Sequence, residues 1–166
     1  MKAQSCDSSP RGDRADRRRD RTGNGRVLVV DDSAMFRVIV SRMLEREGYL
    51  VRCAEDGVAA LALVPAERFD VVVSDLAMRG FDGFELLRAL RASAEPPEVV
   101  FLSGARADDF EAAVRALRLG AHDFLTKPPR EEELLHAVGR ALETRRLKDE
   151  NRRLLRELER ETRTDP

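Results

Sequence analysis

The sequence predicts an α/β protein with a doubly wound, five-stranded parallel sheet. Short apolar segments alternate five times with longer segments whose apolar residues recur at helical spacing. Two of the strand segments, Val71–Val73 and Val99–Leu102, are apolar throughout, as is typical of strands covered by helices on both faces. Because ligands of open α/β sheets bind beyond the carboxyl ends of the strands, we look there for function.

Each element follows from a local pattern. The first strand, Val27–Val30, is mostly β-branched, and the helix at Ala34–Glu47 begins after Ser33, which can cap it, and ends before Gly48. The other predicted strands are Leu50–Ala54, Asp70–Ser74, Glu98–Leu102 and Asp123–Thr126. The other predicted helices are Val58–Val64, Gly83–Arg91, Asp108–Leu119 and a last one that begins near Arg130.

Composition indicates a protein with a highly charged surface. Of its 166 residues, 42% are hydrophobic and 37% are charged, with a net charge of −1, so no overall field draws it to nucleic acid or membrane. Residues 1–25 contain almost nothing apolar, and we expect a disordered tail. Residues 1–26 hold eight basic and four acidic side chains, a balance of +4. The two cysteines have neither disulfide-framework nor metal-ligand spacing, which suits a reducing cytosol.

Polar side chains stand at the predicted carboxyl ends of four strands. They are Asp31 and Asp32, Asp75, Ser103, and Lys127. Three carboxylates roughly 5 Å apart repel by about 3 kcal/mol per pair at an effective dielectric near 20, so that either one takes up a proton or a cation lies between them. Mg²⁺ prefers such oxygen ligands, and a carboxylate beside it can attack phosphorus to give an acyl phosphate. Lys127 and Ser103 would then stabilise the transferred phosphoryl group.

Four motifs of the chain resemble those of a known family. The segments "VLVVDDS", "DVVVSDLAMRGFDGFELL", "VVFLSG" and "GAHDFLTKPPR" closely resemble the receiver domain of two-component response regulators, over about residues 26–143. The resemblance implies a flavodoxin-like sheet with strand order 2-1-3-4-5. It also implies a signalling switch that catalyses only its own phosphorylation and dephosphorylation.

The resemblance assigns a role to each position. Asp75 would accept a phosphoryl group from the phosphohistidine of a histidine kinase or phosphotransfer protein. Mg²⁺ would be bound by Asp32, Asp75 and the backbone carbonyl of Ala77, with Asp31 in support. Lys127 would bridge the acidic pocket and then the phosphoryl group. Ser103 and Phe124 would move together as a switch. Pro128 would follow a cis peptide bond.

The chain departs from the family pattern at a few positions. Arg79 stands where the family usually has proline, and Phe124 replaces a tyrosine. Ala77 and Ala105, which flank the phosphoryl pocket, cannot orient a hydrolytic water, so we expect slow self-dephosphorylation. His122 and His136 lack partners at metal-ligand spacing.

The last helix extends past the end of a receiver domain. Helical composition continues from Arg130 to about Glu161, and Leu147, Asn151, Leu154 and Leu158 follow the 4-3-4 spacing of a coiled-coil seam. We therefore divide the chain into a tail at 1–25, a receiver domain at 26–143 and a helical extension at 144–166. The extension predicts a short coiled coil and a homodimer, or else a frayed charged helix. No output domain follows in this sequence.

The sequence allows three functions. The favoured one is a cytoplasmic, Mg²⁺-dependent phosphorylation switch with an unknown downstream target, no direct DNA binding and no membrane contact. A Mg²⁺-dependent phosphohydrolase with Asp75 as nucleophile is weaker, because Ala77 stands where such enzymes have a second acid. A scaffold that never takes phosphate is also weaker, because every acidic position and the lysine are kept.

Overall fold

The protein is described by a computed structural model over residues 24–104 and 109–164. The remaining residues carry several sequence predictions, namely the basic tail with Cys6, the pocket-flanking Ala105 and the helix start at Asp108, and these lie outside the described residues. Within the described ranges, no helix combines the length and the apolar character that crossing a membrane requires.

Strands and helices alternate along the chain. The strands are β1 (Arg26–Val30), β2 (Leu50–Ala54), β3 (Val71–Asp75), β4 (Glu98–Ser103) and β5 (Asp123–Thr126). The helices are α1 (Ala34–Arg46), α2 (Gly57–Leu63), α3 (Gly83–Arg91), α4 (Asp109–Arg118) and α5 (Glu131–Arg163). The predicted elements are therefore confirmed, with ends that differ by one or two residues.

All strand pairs are parallel, and the sheet order is β2-β1-β3-β4-β5. This confirms the predicted doubly wound fold with order 2-1-3-4-5 and an extended C-terminal helix. Every residue of β3 and β4 is buried, as their apolar sequences predict. One core cluster packs α2, α3 and α4 against one face of the sheet, and a second packs α1 and α5 against the other.

Three helices begin at a side-chain cap. Ser33 Oγ accepts a hydrogen bond from the Phe36 amide at the start of α1. Asp56 and Asp82 do the same for α2 and α3 through the amides of Ala59 and Glu85. These caps end the loops that leave β1, β2 and β3, and so fix where each loop can place its side chains.

Helix α5 contacts the domain well beyond residue 143. Its buried residues run from Leu134 to Arg145, and ion pairs continue from Lys148 to Glu98 and from Arg156 to Glu95. Leucines further along α5, Leu147, Leu154, Leu155 and Leu158, are exposed.

Candidate functional site

The four predicted strand ends meet at one edge of the sheet. Asp31 directly follows β1, Asp75 and Ser103 are the last residues of β3 and β4, and Lys127 directly follows β5. The parallel register pairs Asp75 with Leu102 and Ser103 with Thr126, so Ser103 lies one residue beyond Asp75 and Lys127 one residue beyond Ser103, all at the carboxyl ends of their strands. Side chains distant in sequence are thereby brought to one pocket.

Lys127 bridges two carboxylates in that pocket. Its Nζ lies 2.6 Å from Asp31 Oδ2 and 3.2 Å from Asp75 Oδ2. Asp31 is 3% exposed and Asp75 7% exposed, so both acids are nearly removed from water. An ammonium between them offsets part of the desolvation that burial imposes on each charge.

Asp32 completes a three-carboxylate group. One oxygen from each of Asp31, Asp32 and Asp75 lies within 4.8 Å of the others. Asp32 is exposed, and within the described residues its carboxylate has no hydrogen-bond or ion-pair partner. Three carboxylates against one lysine leave a negative excess, and a hard divalent cation such as Mg²⁺ fits this all-oxygen set of donors.

The pocket shifts the pKa of its charged groups. Burial raises the pKa of the Asp75 carboxyl above its usual value, and Asp31 adds to that effect while Lys127 and the Ala77 amide oppose it. Burial acts to lower the pKa of Lys127, but the hydrogen bond and charge of Asp31, joined by those of Asp75, outweigh it and raise that pKa. The pocket therefore favours a charged Lys127 and disfavours ionisation of Asp75.

The backbone around Asp75 is tightly packed. The Ala77 amide donates to Asp75 Oδ1 at 3.2 Å, and the Gly83 amide donates to the Leu76 carbonyl at 2.8 Å. A Cβ at Gly83 would lie 2.9 Å from the Asp75 carbonyl oxygen and 2.8 Å from the Phe101 ring. Glycine is therefore required where α3 begins, because α3 starts in contact with the backbone of Asp75.

Lys127 is held by its own backbone as well. Its amide donates to the Ser103 carbonyl at 2.7 Å, which joins the ends of β4 and β5. The Lys127–Pro128 peptide bond is cis, as the resemblance implied.

Ser103 and Phe124 lie on neighbouring strands close to this edge. Ser103 is 6% exposed, and among the described residues its hydroxyl makes only a long contact of 3.5 Å with the Gly104 carbonyl. Phe124 is half-buried against the core cluster on the α4 side, and its register partner in β4 is Phe101. The serine hydroxyl is therefore only weakly held in this conformation.

Sequence reasoning missed three contributors to the pocket. The ring of Phe36 lies 4.4 Å from the Lys127 ammonium, in cation–π geometry. The Arg37 guanidinium donates to the Asp31 carbonyl at 2.7 Å, and the Ser33 amide donates to Asp31 Oδ1 at 2.8 Å. All three are in the first turn of α1 or its cap. Periodicity assigned Phe36 to the helix but gave no sign that it would contact the lysine.

The sequence matches a known family over most of its length. The profile of the response regulator receiver domain matches residues 27–139. Protein PilH of Pseudomonas aeruginosa is 38% identical over 117 residues, which cover 70% of this chain and 97% of PilH. Nitrogen assimilation regulatory protein NtrX of Azorhizobium caulinodans is 38% identical over 130 residues, which cover 77% of this chain and 28% of NtrX.

The relatives differ greatly in length from this chain. It covers 28% of that NtrX, 58% of transcriptional regulatory protein FixJ of Bradyrhizobium diazoefficiens and 53% of response regulator MprA of Mycobacterium ulcerans. What those whole proteins do is therefore not carried over from the match alone.

Solved structures agree with the sequence match. Chemotaxis response regulator CheY4 of Vibrio cholerae superposes with a TM-score of 0.64 at 36% identity, covering 71% of this chain and 98% of CheY4. A receiver domain protein from Clostridium thermocellum gives a TM-score of 0.69 at 26% identity, covering 74% and 98% of the two chains. With its sheet order, its strand-end pocket and a profile match over residues 27–139, this chain belongs to the response regulator receiver family.

Proposed function

We propose that this chain is a phosphorylation switch of two-component signalling, with Asp75 as the phosphoacceptor. The observation that carries the proposal is the buried Asp75 carboxylate, held by Lys127 and grouped with Asp31 and Asp32. A carboxylate placed among metal-ligating oxygens and one ammonium suits phosphoryl transfer, where catalysis is mostly positioning and charge neutralisation.

Transfer would proceed by direct displacement. An Asp75 oxygen attacks the phosphorus of a kinase or phosphotransfer-protein phosphohistidine, and the new O–P bond forms as the N–P bond breaks. The electron pair of that bond returns to the imidazole nitrogen of the partner. The Ala77 amide and Lys127 hold the two Asp75 oxygens and so orient the attack.

The carboxylates of Asp31, Asp32 and Asp75, with the Ala77 backbone carbonyl, would hold Mg²⁺. When bound, the ion neutralises phosphoryl oxygens during transfer. Asp32 is exposed and has no partner among the residues that the structure describes, which favours it as a direct ligand. Asp31 is already engaged by Lys127 and the Ser33 amide, which favours a supporting role.

Ser103 and Phe124 would carry the signal away from the pocket. The weakly held Ser103 hydroxyl is free to turn and donate to a phosphoryl oxygen on Asp75, and Phe124 would move inward as it does so. Neither Ala77 nor Ala105 offers a group that orients water, so the aspartyl phosphate should be long-lived. A half-life of a few seconds in the purified protein would contradict this.

The C-terminal extension would form a homodimer. Leu147, Leu154 and Leu158 are 63%, 45% and 57% exposed, and at 3.6 residues per turn they share the face of α5 opposite Arg145 and Asp149. Two copies could pair these faces as a short parallel coil while their domains lie outward. Leu154→Lys should then convert a dimer to a monomer in analytical ultracentrifugation, whereas His136→Lys, on an earlier turn, should not.

The remaining parts of the proposal follow from the family role. The receiver would work in the cytoplasm, with a sensor kinase or phosphotransfer protein upstream and a protein target downstream. Signalling would need neither direct DNA binding nor a membrane.

The central test uses acetyl phosphate as phosphodonor with Mg²⁺, followed by phosphate-affinity electrophoresis. We expect a labile mobility shift that Asp75→Asn abolishes. Asp32→Ala should also abolish it, and a shift that survives in Asp32→Ala would show that the metal assignment is wrong. Asp82→Asn is the matched control, because asparagine can also cap α3 and the shift should persist.

The same assay separates the alternatives. Turnover of many phosphomonoesters would indicate a phosphohydrolase instead of a switch. An unshifted, folded wild-type protein would indicate a scaffold.

A further inference from the structure

A second group of charges lies at the opposite edge of the sheet. There α5 passes the segment before β3 and the segment before β4. Six arginines lie at this edge: Arg68, Arg145, Arg152, Arg153, Arg156 and Arg160. The phosphoacceptor pocket does not use any of them.

One carboxylate serves three of these arginines. Asp149 lies 2.6 Å from Arg68, 3.4 Å from Arg145 and 3.2 Å from Arg152, measured between oxygen and nitrogen. This is the reverse of the pocket at Asp75, where one lysine contacts two carboxylates and a third carboxylate lies beside them. An excess of carboxylates favours a cation at Asp75, and in the same way the excess of arginines at this edge favours an additional anion.

Arg145 is buried without enough acceptors. Its side chain is fully buried, and one guanidinium nitrogen donates to the Pro96 carbonyl. Its Nε faces Asp149 Oδ2 at 3.4 Å without hydrogen-bond geometry, and among the described residues its other terminal nitrogen has no hydrogen-bond acceptor. A buried guanidinium with unused donors adds to the positive potential at this edge.

A recess of about 270 Å³ lies beside these groups. Five arginines line it, namely Arg68, Arg152, Arg153, Arg156 and Arg160. Three acids, Glu95, Asp149 and Glu157, also line it, which leaves an excess of two positive charges. Arg156 reaches Glu95 at only 3.8 Å, and Arg160 has no ion-pair partner within the described chain.

We propose that this recess binds a compact, multiply charged phosphate anion of the pyrophosphate class. Guanidinium groups present paired N–H donors that match phosphate oxygens, and Arg152 and Arg156 lie one turn apart on the same face of α5. The volume suits a small ion, just below the range of drug-sized pockets. An extended polyanion is disfavoured, because Glu95 and Glu157 flank the recess and the whole chain carries a net charge of −1.

Titration calorimetry of the full chain with sodium pyrophosphate, in Mg²⁺-free buffer of fixed ionic strength, tests the proposal. We expect saturable binding of one ion per chain, and much weaker binding of sulfate. The double variant Arg152→Gln/Arg156→Gln should weaken binding at least about tenfold, since it removes charge-assisted hydrogen bonds. Arg140→Gln is the matched control: the same helix loses the same charge at an exposed position outside the recess, and affinity should stay within about twofold.

A variant that is expected to tighten pyrophosphate binding tests whether the arginines have a merely structural role. Asp149→Asn removes the competing carboxylate and should tighten pyrophosphate binding several-fold, whereas damage to the fold would weaken it. Asp75→Asn should bind pyrophosphate like the wild type, which separates this site from the phosphoacceptor pocket. Non-saturable binding, equal loss in Arg140→Gln, or binding of duplex DNA but not pyrophosphate would each overturn the proposal.

Discussion

The two edges of the sheet hold buried charge in opposite ways. At the carboxyl edge, the excess is negative, and an exposed carboxylate, Asp32, keeps the pocket open to solvent. At the amino edge, the excess is positive, and the most buried arginine, Arg145 of α5, is fully buried. The first edge gathers acids around a single lysine, whereas the second edge fastens a long helix to the domain.

The largest expected effect on stability comes from truncating α5 before the residues that fasten it to the amino edge. A chain that stops after Glu143 keeps the acidic pocket but loses Arg145 and Lys148, which hold the Pro96 carbonyl and the buried Glu98. We expect the free energy of unfolding to fall by on the order of 3–5 kcal/mol, because the truncation removes the ion pair of Glu98 and the packing of the fully buried Arg145. A chain that stops after Glu157 should unfold in urea like the full chain. Equal stability of the two truncations would show that the domain ends at 143.

A single substitution at the amino edge should cost somewhat less. Arg145→Ala leaves the Pro96 carbonyl unpaired and opens a cavity, so we expect a loss of about 3 kcal/mol in urea unfolding. Arg140→Ala, an exposed arginine on the same helix, should change stability by less than about 0.5 kcal/mol. If the two variants matched, Arg145 would not be the residue that fastens α5.

The next largest effect on stability is expected at the carboxyl edge, where it comes from a steric clash and not from a lost charge. Gly83→Ala would press a methyl group against the Asp75 carbonyl and the Phe101 ring, at a cost of about 1–3 kcal/mol. It should also slow phosphorylation by acetyl phosphate, because α3 must shift at Asp75. Gly104→Ala is the control, since its added methyl group meets no atom within 4 Å. Thermal unfolding and the mobility-shift assay measure the two consequences.

Neutralising Asp75, the proposed phosphoacceptor, should have a smaller effect and the opposite sign. The pKa of Asp75 is raised in the folded protein, so ionising this group costs stability as pH rises from its unfolded value of 3.8 through the raised value. Without metal at neutral pH, Asp75→Asn should therefore melt a few degrees above the wild type. The gap should close as pH falls below about 4, where the wild-type carboxyl is protonated in both states. A lower melting temperature at neutral pH would refute this account.

The smallest effect is expected for a pair on the rim of the amino edge. Arg68 is 55% exposed, and its contact with Asp149 is open to solvent. Arg68→Gln should change the unfolding free energy by no more than about 0.5 kcal/mol. Under the anion-site proposal it should still weaken pyrophosphate binding, so stability and binding would separate in one variant.

The carboxyl edge was predictable from sequence because strand ends are local features. Apolar runs such as Val71–Val73 end in a polar residue, and parallel pairing brings those residues together whatever the loops do. The contact of Phe36 with Lys127 was not predictable, because it depends on the angle at which α1 leaves β1. Those helix-side contacts arise only after packing.

The amino edge was much less predictable for the same reason. Arg145 belongs to an apparently solvated run of charges, "RRLKDENRR", and nothing local marks it as buried. Its partner Pro96 lies 49 residues away, and only the packing of α5 across the sheet joins them. The sequence predicted a short coiled coil or a frayed charged helix from residue 144 onward, yet Lys148 of that helix pairs with Glu98 at the start of β4.

The unbroken course of α5, from the core residue Leu134 to Arg163, has a mechanical consequence for protein engineering. A reporter domain fused to its end as a continuous helix would inherit the orientation of the sheet. Each inserted residue would turn that domain by about 100° and advance it by about 1.5 Å. A series of one-residue insertions would therefore sample the directions around the helix axis. A reporter signal that varied with a period of 3.6 residues would indicate that the helix is rigid.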